Sequence, residues 1–219
     1  MKSLSAFVFW LSLTILLPFL VGLVRYRRIG TLYRPFFYLL ALGVFNELFS
    51  RYLIKGLHIH NNAISSNIFV LLEWVLICWQ FHVWGQYARK EVFFAILLFP
   101  VAIWITENLV FANIGIFSPY FRVFYSFLIV LLSVNKINFM ITHDDRRLYG
   151  NPVFILCIGL IIFFIYRIIL EWAYQTSLNG ANRTTNTIIM LNAWVNALTN
   201  IIFAVALLMI PRPQKFTLR

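Results

Sequence analysis

The sequence has few charged residues, and acidic residues are the scarcer kind. Aspartate and glutamate number 7 among 219 residues, against 18 lysines and arginines, and only 11% of the chain is charged. Soluble domains usually carry about 25% charged residues, so an ordinary soluble protein is excluded. The net charge of +11 alone would suggest nucleic acid, but the basic residues lie at the ends of apolar segments, as in membrane proteins. We therefore predict no nucleic-acid partner.

Cysteines are also few, and the familiar catalytic motifs are missing. Cys78 and Cys157 each lie in an apolar run, which is typical of small buried side chains and predicts no disulfide framework. The sequence contains no HExxH, no GxSxG and no phosphate-binding glycine loop. The last apolar segment has no lysine for a retinal Schiff base. We therefore predict no catalytic residue, no metal site and no cofactor, and an enzyme is the less favoured interpretation.

Apolar residues make up most of the chain. Hydrophobic residues are 62% of the total, and the mean hydropathy is +0.84. Several apolar runs match the roughly 20 residues that cross a hydrocarbon layer about 30 Å thick. We predict an all-α membrane protein, in which residues 1–219 form one domain and one bundle of seven transmembrane helices. The predicted helices are 4–24, 35–53, 65–84, 92–111, 120–141, 152–174 and 187–210.

The basic residues predict the orientation of this bundle, because cytoplasmic loops are rich in lysine and arginine. Twelve of the 18 fall on one side of the alternating spans, namely Arg25, Arg27, Arg28, Arg34, Arg89, Lys90, Lys136, Arg146, Arg147, Arg212, Lys215 and Arg219. The N-terminus is then outside and the C-terminus inside. We predict a multi-pass protein of a bacterial inner membrane, with membrane lipids as partners.

The third predicted helix contains a carboxylate at membrane depth. Its sequence, SSNIFVLLEWVLICWQFHVW, places Glu73 roughly 12 Å from the start of the helix at about 1.5 Å of rise per residue. An ionisable residue at such a depth indicates a functional site with a partner on another helix. With its seven-helix layout and the pattern Asn67-x5-Glu73, the chain resembles uncharacterised seven-helix membrane proteins of bacteria, a resemblance that implies no activity.

The other intramembrane charges are predicted to share one level with Glu73, within roughly 15 Å of the outer boundary. Two pairs stand four residues apart, Glu47 with Arg51 and Arg167 with Glu171, so that each can pair locally. Glu107, Arg122 and Glu73 have no such partner and must reach across the bundle. Glu73 is the deepest of these, and we expect it to be the protonatable one.

An asparagine stripe extends this polar layer along the last helix, at Asn192, Asn196 and Asn200. Two interpretations remain open, an outward-opening cavity that binds a ligand or a closed network of interhelical contacts. Under the first interpretation, the candidate ligand-binding residues are Glu47, Arg51, Glu73, Trp104, Glu107, Asn108, Arg122, Tyr125, Tyr166, Arg167, Glu171, Asn192 and Asn196.

The leading hypothesis is a receptor or sensor that binds a small polar or zwitterionic ligand from the outer side. Arg122 and Arg167 would meet the negative group of the ligand, and Glu73 and Glu107 its positive group or a proton. Signalling would require a protein partner on the inner side. Three alternatives remain: a small-solute or proton-coupled transporter that uses the same layer, a structural or pore-forming subunit, and a membrane-embedded lipid enzyme.

Overall fold

The computed structural model describes residues 10–57, 62–87, 89–111, 113–143, 148–177 and 182–211, and these residues contain helices and no strand. The long helices are α1 (Trp10–Val24), α2 (Arg34–Arg51), α3 (Ala63–Val83), α4 (Lys90–Ile105), α5 (Pro119–His143), α6 (Pro152–Ser177) and α7 (Asn182–Met209). Two π-helical turns, Tyr52–Gly56 and Thr106–Phe111, prolong α2 and α4. The chain is thus an all-helical protein in its described part.

Six of these helical segments are long and apolar enough to cross a membrane. They are Thr31–Ile54, Ala63–Val83, Lys90–Phe111, Pro119–His143, Pro152–Ala173 and Met190–Met209. The first helix is apolar but shorter over its described part, Trp10–Val24, and the predicted residues 4–9 lie outside the described residues. The chain is therefore a multi-pass membrane protein, while the count of seven spans and their orientation stay predictions.

The helix bounds differ most from the sequence-based ones in α7. This helix begins at Asn182, five residues before the predicted start at 187, because a helix can continue through a polar first turn that lies beyond its apolar span. The starts of α2 to α6 lie within two residues of the predicted positions.

Six helices form a closed ring. Neighbours pack in the order α1, α2, α3, α5, α6 and α7, and α7 returns to pack against α1. Helix α4 lies outside the ring against α3 and α5, and only 17% of its span is buried, compared with 44% for α3. Large apolar side chains on α4, such as Phe94, Leu98 and Phe99, are exposed, as suits a helix that faces lipid.

One end of the ring is rich in basic residues, and side chains there satisfy free backbone groups. Gln80 of α3 accepts a hydrogen bond from Phe36 N at 2.8 Å and donates one to Leu32 O at 2.7 Å. At the same end, the Arg25 guanidinium donates to Leu207 O at 2.9 Å, near the end of α7. Backbone groups at helix ends have no partner within the helix, so these contacts fix α2 and α7 at the basic end.

Aromatic side chains fill the interior of the ring next to the basic end. Phe36 of α2 and Phe203 of α7 meet edge to face, with their ring centroids 5.0 Å apart. Helices α6 and α7 approach closely here, because Gly159 has no side chain to hold Phe203 away. This apolar layer separates the basic end from the polar side chains of the other end.

Candidate functional site

A partly open cavity of about 810 Å³ lies inside the ring, towards the end where α2 and α6 end and where α3, α5 and α7 begin. Its walls come from all six ring helices, and none of its lining residues in the described part of the chain belongs to α4. Phe203 lines the cavity where the aromatic layer begins. The polar lining residues are Ser12, Asn46, Glu47, Ser66, Glu73, Arg122, Arg167, Glu171, Gln175, Asn192, Asn196 and Asn200.

Glu73 is held by two other helices of the ring. The Arg167 guanidinium of α6 lies 3.2 Å from Glu73 Oε2, and both side chains are largely buried, at 14% and 7% exposure. Tyr125 of α5 donates its hydroxyl to the same carboxylate oxygen at 2.6 Å. The Arg167 guanidinium also lies 5.8 Å from the centre of the Tyr125 ring. A buried carboxylate needs such partners because its desolvation is costly.

Arg122 of α5 is less completely satisfied than Arg167. Its Nη2 donates to Ser66 Oγ at 2.8 Å and to Asn67 Oδ1 at 3.3 Å. Its Nη1 lies 3.6 Å from Glu171 Oε1, which is longer than the 2.7–3.2 Å typical of an N–H···O hydrogen bond. The buried Nε has no hydrogen-bond partner among the described residues. Arg122 lines the cavity, and it therefore has an unsatisfied buried Nε and only a loose contact at Nη1.

The observed ion pairs differ from the local pairs suggested by sequence spacing. Arg167 pairs with Glu73, and its neighbour Glu171 pairs with Arg122, because both side chains of α6 face the ring interior where α3 and α5 supply opposite charges. Glu47 likewise accepts a hydrogen bond from Ser12 Oγ of α1 at 2.5 Å.

The asparagines of α7 line the same cavity. Asn192 and Asn196 are half-buried, and Asn200 is 3% exposed. Asn200 Nδ2 donates to Thr14 Oγ1 at 2.9 Å, which connects α7 to α1. The stripe therefore reaches from the cavity mouth to the aromatic layer at Phe203.

Glu107 belongs to the link between α4 and α5 and does not line the cavity. Its carboxylate accepts hydrogen bonds from the backbone N–H groups of Tyr120 at 3.1 Å and Phe121 at 2.7 Å. These N–H groups lie in the first turn of α5, where the helix leaves them unpaired and an anion is favourable. Glu107 therefore caps α5.

Trp104 and Asn108 have a structural role in this link as well. Trp104 Nε1 donates to Asn67 O at 3.0 Å, and Asn108 Nδ2 donates to Trp104 O at 2.9 Å. Asn108 Oδ1 accepts from Ser118 Oγ at 2.7 Å. Both side chains lie on the outer side of α3, away from the cavity lining.

Asn67, which was not among the candidate site residues, is the centre of this link. The residue is fully buried. Its Nδ2 lies 3.0 Å from Asn108 Oδ1, 3.1 Å from Ile114 O and 2.6 Å from Ile116 O. Its Oδ1 accepts from Ser118 N at 3.3 Å. Asn67 therefore fixes residues 113–118, which include lining residues of the cavity.

Three further candidate residues lie outside the cavity lining. Tyr125 is fully buried and is connected to the cavity through its hydrogen bond to Glu73. Tyr166 donates its hydroxyl to Ile188 O at 3.2 Å and connects α6 to α7. Arg51 lies half-buried in the last turn of α2.

Seven of the thirteen candidate residues therefore share one cavity, namely Glu47, Glu73, Arg122, Arg167, Glu171, Asn192 and Asn196. Sequence reasoning missed several polar lining residues. Ser66 lies two helical turns before Glu73 and so faces the same way, a signal that the sequence contains. Ser12, by contrast, is a single serine in an apolar run, and nothing in the sequence distinguishes it.

The charged residues that line the cavity are three carboxylates, Glu47, Glu73 and Glu171, and two guanidiniums, Arg122 and Arg167. Such a lining suits a ligand that carries charges of both signs, or a ligand with one positive charge. The chain matches no protein-family model, no curated protein and no solved structure. The interpretation of the cavity therefore depends on its own geometry.

Proposed function

We propose that this membrane protein is a receptor or sensor with seven spans, and that its ring cavity binds a small zwitterionic ligand. In this proposal the N-terminus is outside, the C-terminus is inside, and the membrane is a bacterial inner membrane. One observation carries the proposal: Arg122 and Glu171 face the cavity as a loose pair, 3.6 Å apart.

The anionic group of the ligand binds Arg122. This guanidinium has a buried Nε without a hydrogen-bond partner among the described residues and an Nη1 beyond hydrogen-bond distance of Glu171. A carboxylate or phosphate accepts two parallel hydrogen bonds from a guanidinium, which gives a stronger contact than the loose pair with Glu171.

The cationic group of the ligand binds Glu171 or Glu47. Glu171 loses its partner when the anionic group takes Arg122, and Glu47 accepts a hydrogen bond from the neutral Ser12 hydroxyl. The ion pair of Glu73 with Arg167 is tighter, at 3.2 Å against 3.6 Å, and Tyr125 also donates to its carboxylate, so it remains intact and positions α6 against α3. The ligand thus bridges α2, α5 and α6 and favours one packing of the ring.

The proposed signal passes to a protein partner at the basic end. Arg27, Arg34 and Arg89 are exposed there, and basic residues of this kind suit an acidic surface. A ligand-dependent change in the packing of α5 and α6 would alter the position of this end, since both helices run the length of the bundle.

Ligand-dependent thermal stability of the detergent-purified protein tests this proposal. A library of amino acids, betaines and lipids is screened, because a ligand that binds the folded state raises its apparent stability by mass action. Arg122→Gln removes the proposed contact. Glu107→Gln is the matched control, since it removes a charge at the same end of the bundle but outside the cavity lining.

The expected result is a ligand whose stabilising effect is retained in Glu107→Gln and weakened about tenfold or more in Arg122→Gln, as the loss of a charge-assisted hydrogen bond predicts. If no compound changes the stability, and Glu73→Gln only destabilises the protein, the charges form a structural network and the protein is a structural or pore-forming subunit.

A small-solute transporter is the second candidate, and the asparagine stripe favours it. Asn192, Asn196 and Asn200 continue the polar wall from the charged layer towards the middle of the bundle. In this alternative the contact between Phe36 and Phe203 is a gate that must open. Uptake into proteoliposomes that is lost in Asn200→Leu would support the transporter, whereas binding without uptake supports the receptor.

A further inference from the structure

A second, smaller pocket lies at the basic end, opposite the ring cavity. Its volume is about 240 Å³, and it lies between the end of α3, the last two turns of α5 and the start of α6. Its lining includes Leu32, Trp84, Lys136, Phe139, His143 and Asn151. No carboxylate lines this pocket in the described part of the chain.

Lys136 places an incompletely paired charge in the pocket. The residue is only 9% exposed. Its Nζ donates one hydrogen bond, to Trp84 O at 2.6 Å, and lies 5.2 Å from the centre of the Phe139 ring. No carboxylate of a described residue lies within 4.0 Å of this ammonium group. An ammonium has three donors, and a buried charge is costly unless an opposite charge compensates it.

Trp84 supplies a second unused donor. The residue is 6% exposed, and its indole Nε1 is buried without a hydrogen-bond partner among the described residues. An indole N–H can only donate. This nitrogen has almost no accessible surface, so an occupant that brings acceptor oxygens and a negative charge would compensate Lys136, with the Trp84 side chain as one wall of its site.

The charges around the pocket favour an anionic occupant. Arg25, Arg34 and Arg89 lie at the same end, and Glu91 is the one carboxylate that the described residues place there. A basic surface at the end of a membrane bundle attracts anionic lipid head groups. Tryptophan and lysine near the helix ends also suit the head-group level.

We propose that the pocket between Trp84, Lys136 and Asn151 binds a phosphate group, supplied by a membrane lipid or by free phosphate. The phosphate oxygens accept hydrogen bonds from Lys136 Nζ, and the negative charge compensates the buried ammonium. The exposed Leu32 and His143 side chains form the rim through which the group enters. This site is independent of the ring cavity and of the function proposed for it.

A simpler explanation for the position of Lys136 is that it only caps α3. A cation near a helix C-terminus is favourable, and Trp84 O belongs to the residue that ends α3. Capping alone predicts that the loss of Lys136 lowers stability equally with and without phosphate. A phosphate site predicts, in addition, a stabilisation that depends on the phosphate compound and rises with its concentration.

Thermal unfolding of the full chain in a non-ionic maltoside detergent, which contains no phosphate, tests the proposal. The probes are phosphatidylglycerol, inorganic phosphate and oleate, the last of which carries a negative charge without phosphate. The variants are Lys136→Gln, which removes the ammonium, and Leu32→Trp, which fills the rim of the pocket and leaves Lys136 in place. Arg34→Gln is the control, an exposed basic residue at the same end.

We expect phosphatidylglycerol or inorganic phosphate to raise the unfolding temperature, and oleate to leave it unchanged. The affinity for the stabilising phosphate compound should be roughly 10- to 100-fold weaker in Lys136→Gln and unchanged in Arg34→Gln. An effect of phosphatidylglycerol alone identifies a lipid head group, and an equal effect of inorganic phosphate identifies free phosphate. If Lys136→Gln does not fold, Leu32→Trp tests the proposal instead, and loss of the phosphate-dependent stabilisation in that variant supports it. No effect of either phosphate compound, the same effect with oleate, or a full effect in Lys136→Gln or Leu32→Trp would overturn the proposal.

Discussion

Arg167 of α6 lies 3.2 Å from Glu73 of α3, although Glu171 stands one turn away on its own helix. The neighbouring Arg122 of α5 faces Glu171 at 3.6 Å, and Tyr125 of α5 donates to Glu73. Helix α6 therefore supplies one charge of each sign, and each charge is matched by a different helix. This exchange of partners connects α3, α5 and α6 around the cavity.

The first prediction concerns the coupling of Glu73 and Arg167. Removing one partner of a buried pair leaves an uncompensated charge, so Glu73→Gln and Arg167→Gln should each lower the free energy of unfolding by about 3–5 kcal/mol. The double variant should lose clearly less than the sum of the two. Denaturant unfolding of the four proteins in detergent measures this coupling, and additive losses would mean that the two side chains do not interact.

The second prediction concerns the capping of α5 by Glu107. Glu107→Ala should lower the free energy of unfolding by about 0.5–2 kcal/mol, the usual cost of a lost helix cap. Glu107→Gln should lose less, because its amide oxygen can still accept a hydrogen bond from Phe121 N. The same unfolding assay compares the two variants. A larger loss in Glu107→Gln than in Glu107→Ala would contradict the capping role.

The third prediction concerns the buried amide of Asn67. Asn67→Ala leaves Ile116 O and Ser118 N without their partner, and an unsatisfied buried polar group costs about 1–3 kcal/mol. We expect a loss in that range or above it, with faster proteolysis within residues 113–118. Asn135→Ala is the control, since Asn135 is exposed on α5 and its loss should stay within about 0.5 kcal/mol. Equal stability of the two variants would show that Asn67 does not hold the connection.

The membrane class and the level of the charged layer follow from the sequence, because both depend on local quantities. The lengths of the apolar runs identify the spans. The rise per residue of a helix then places Glu73, Arg122 and Arg167 at similar distances from the same end of the bundle. The structure brings these three residues to one cavity wall. Whether a ligand occupies that cavity stays a prediction.

The sequence could not predict in the same way which charged side chains pair with each other. Spacing favoured Arg167 with Glu171, because residues four apart share a helix face, but two such residues can equally both point towards other helices. Glu107 looked like a cavity residue because only its depth was known. Its actual role depends on where the first turn of α5 lies relative to α4, which is a tertiary relationship.

The last prediction concerns the close approach of α6 and α7 beneath the cavity. A Cβ atom added at Gly159 would lie 2.5 Å from Phe203 Cε1 and 3.2 Å from Ile202 Cγ2, so the Phe203 ring would have to move. Replacing glycine by alanine inside a helix normally stabilises the protein by about 0.5–1 kcal/mol. Overpacking of a core, however, destabilises it by about 1–3 kcal/mol. Gly159→Ala should therefore destabilise the protein on balance.

Two companion variants make this prediction specific. Gly150→Ala is the control, because a Cβ atom there meets no other atom within 4 Å, and it should be neutral or slightly stabilising. Phe203→Leu combined with Gly159→Ala removes the clash and should recover part of the loss. Since Phe203 lines the cavity and contacts Phe36, displacement of its ring should also weaken any ligand of the ring cavity. A Gly159→Ala protein as stable as Gly150→Ala would show that α6 and α7 separate easily at this level.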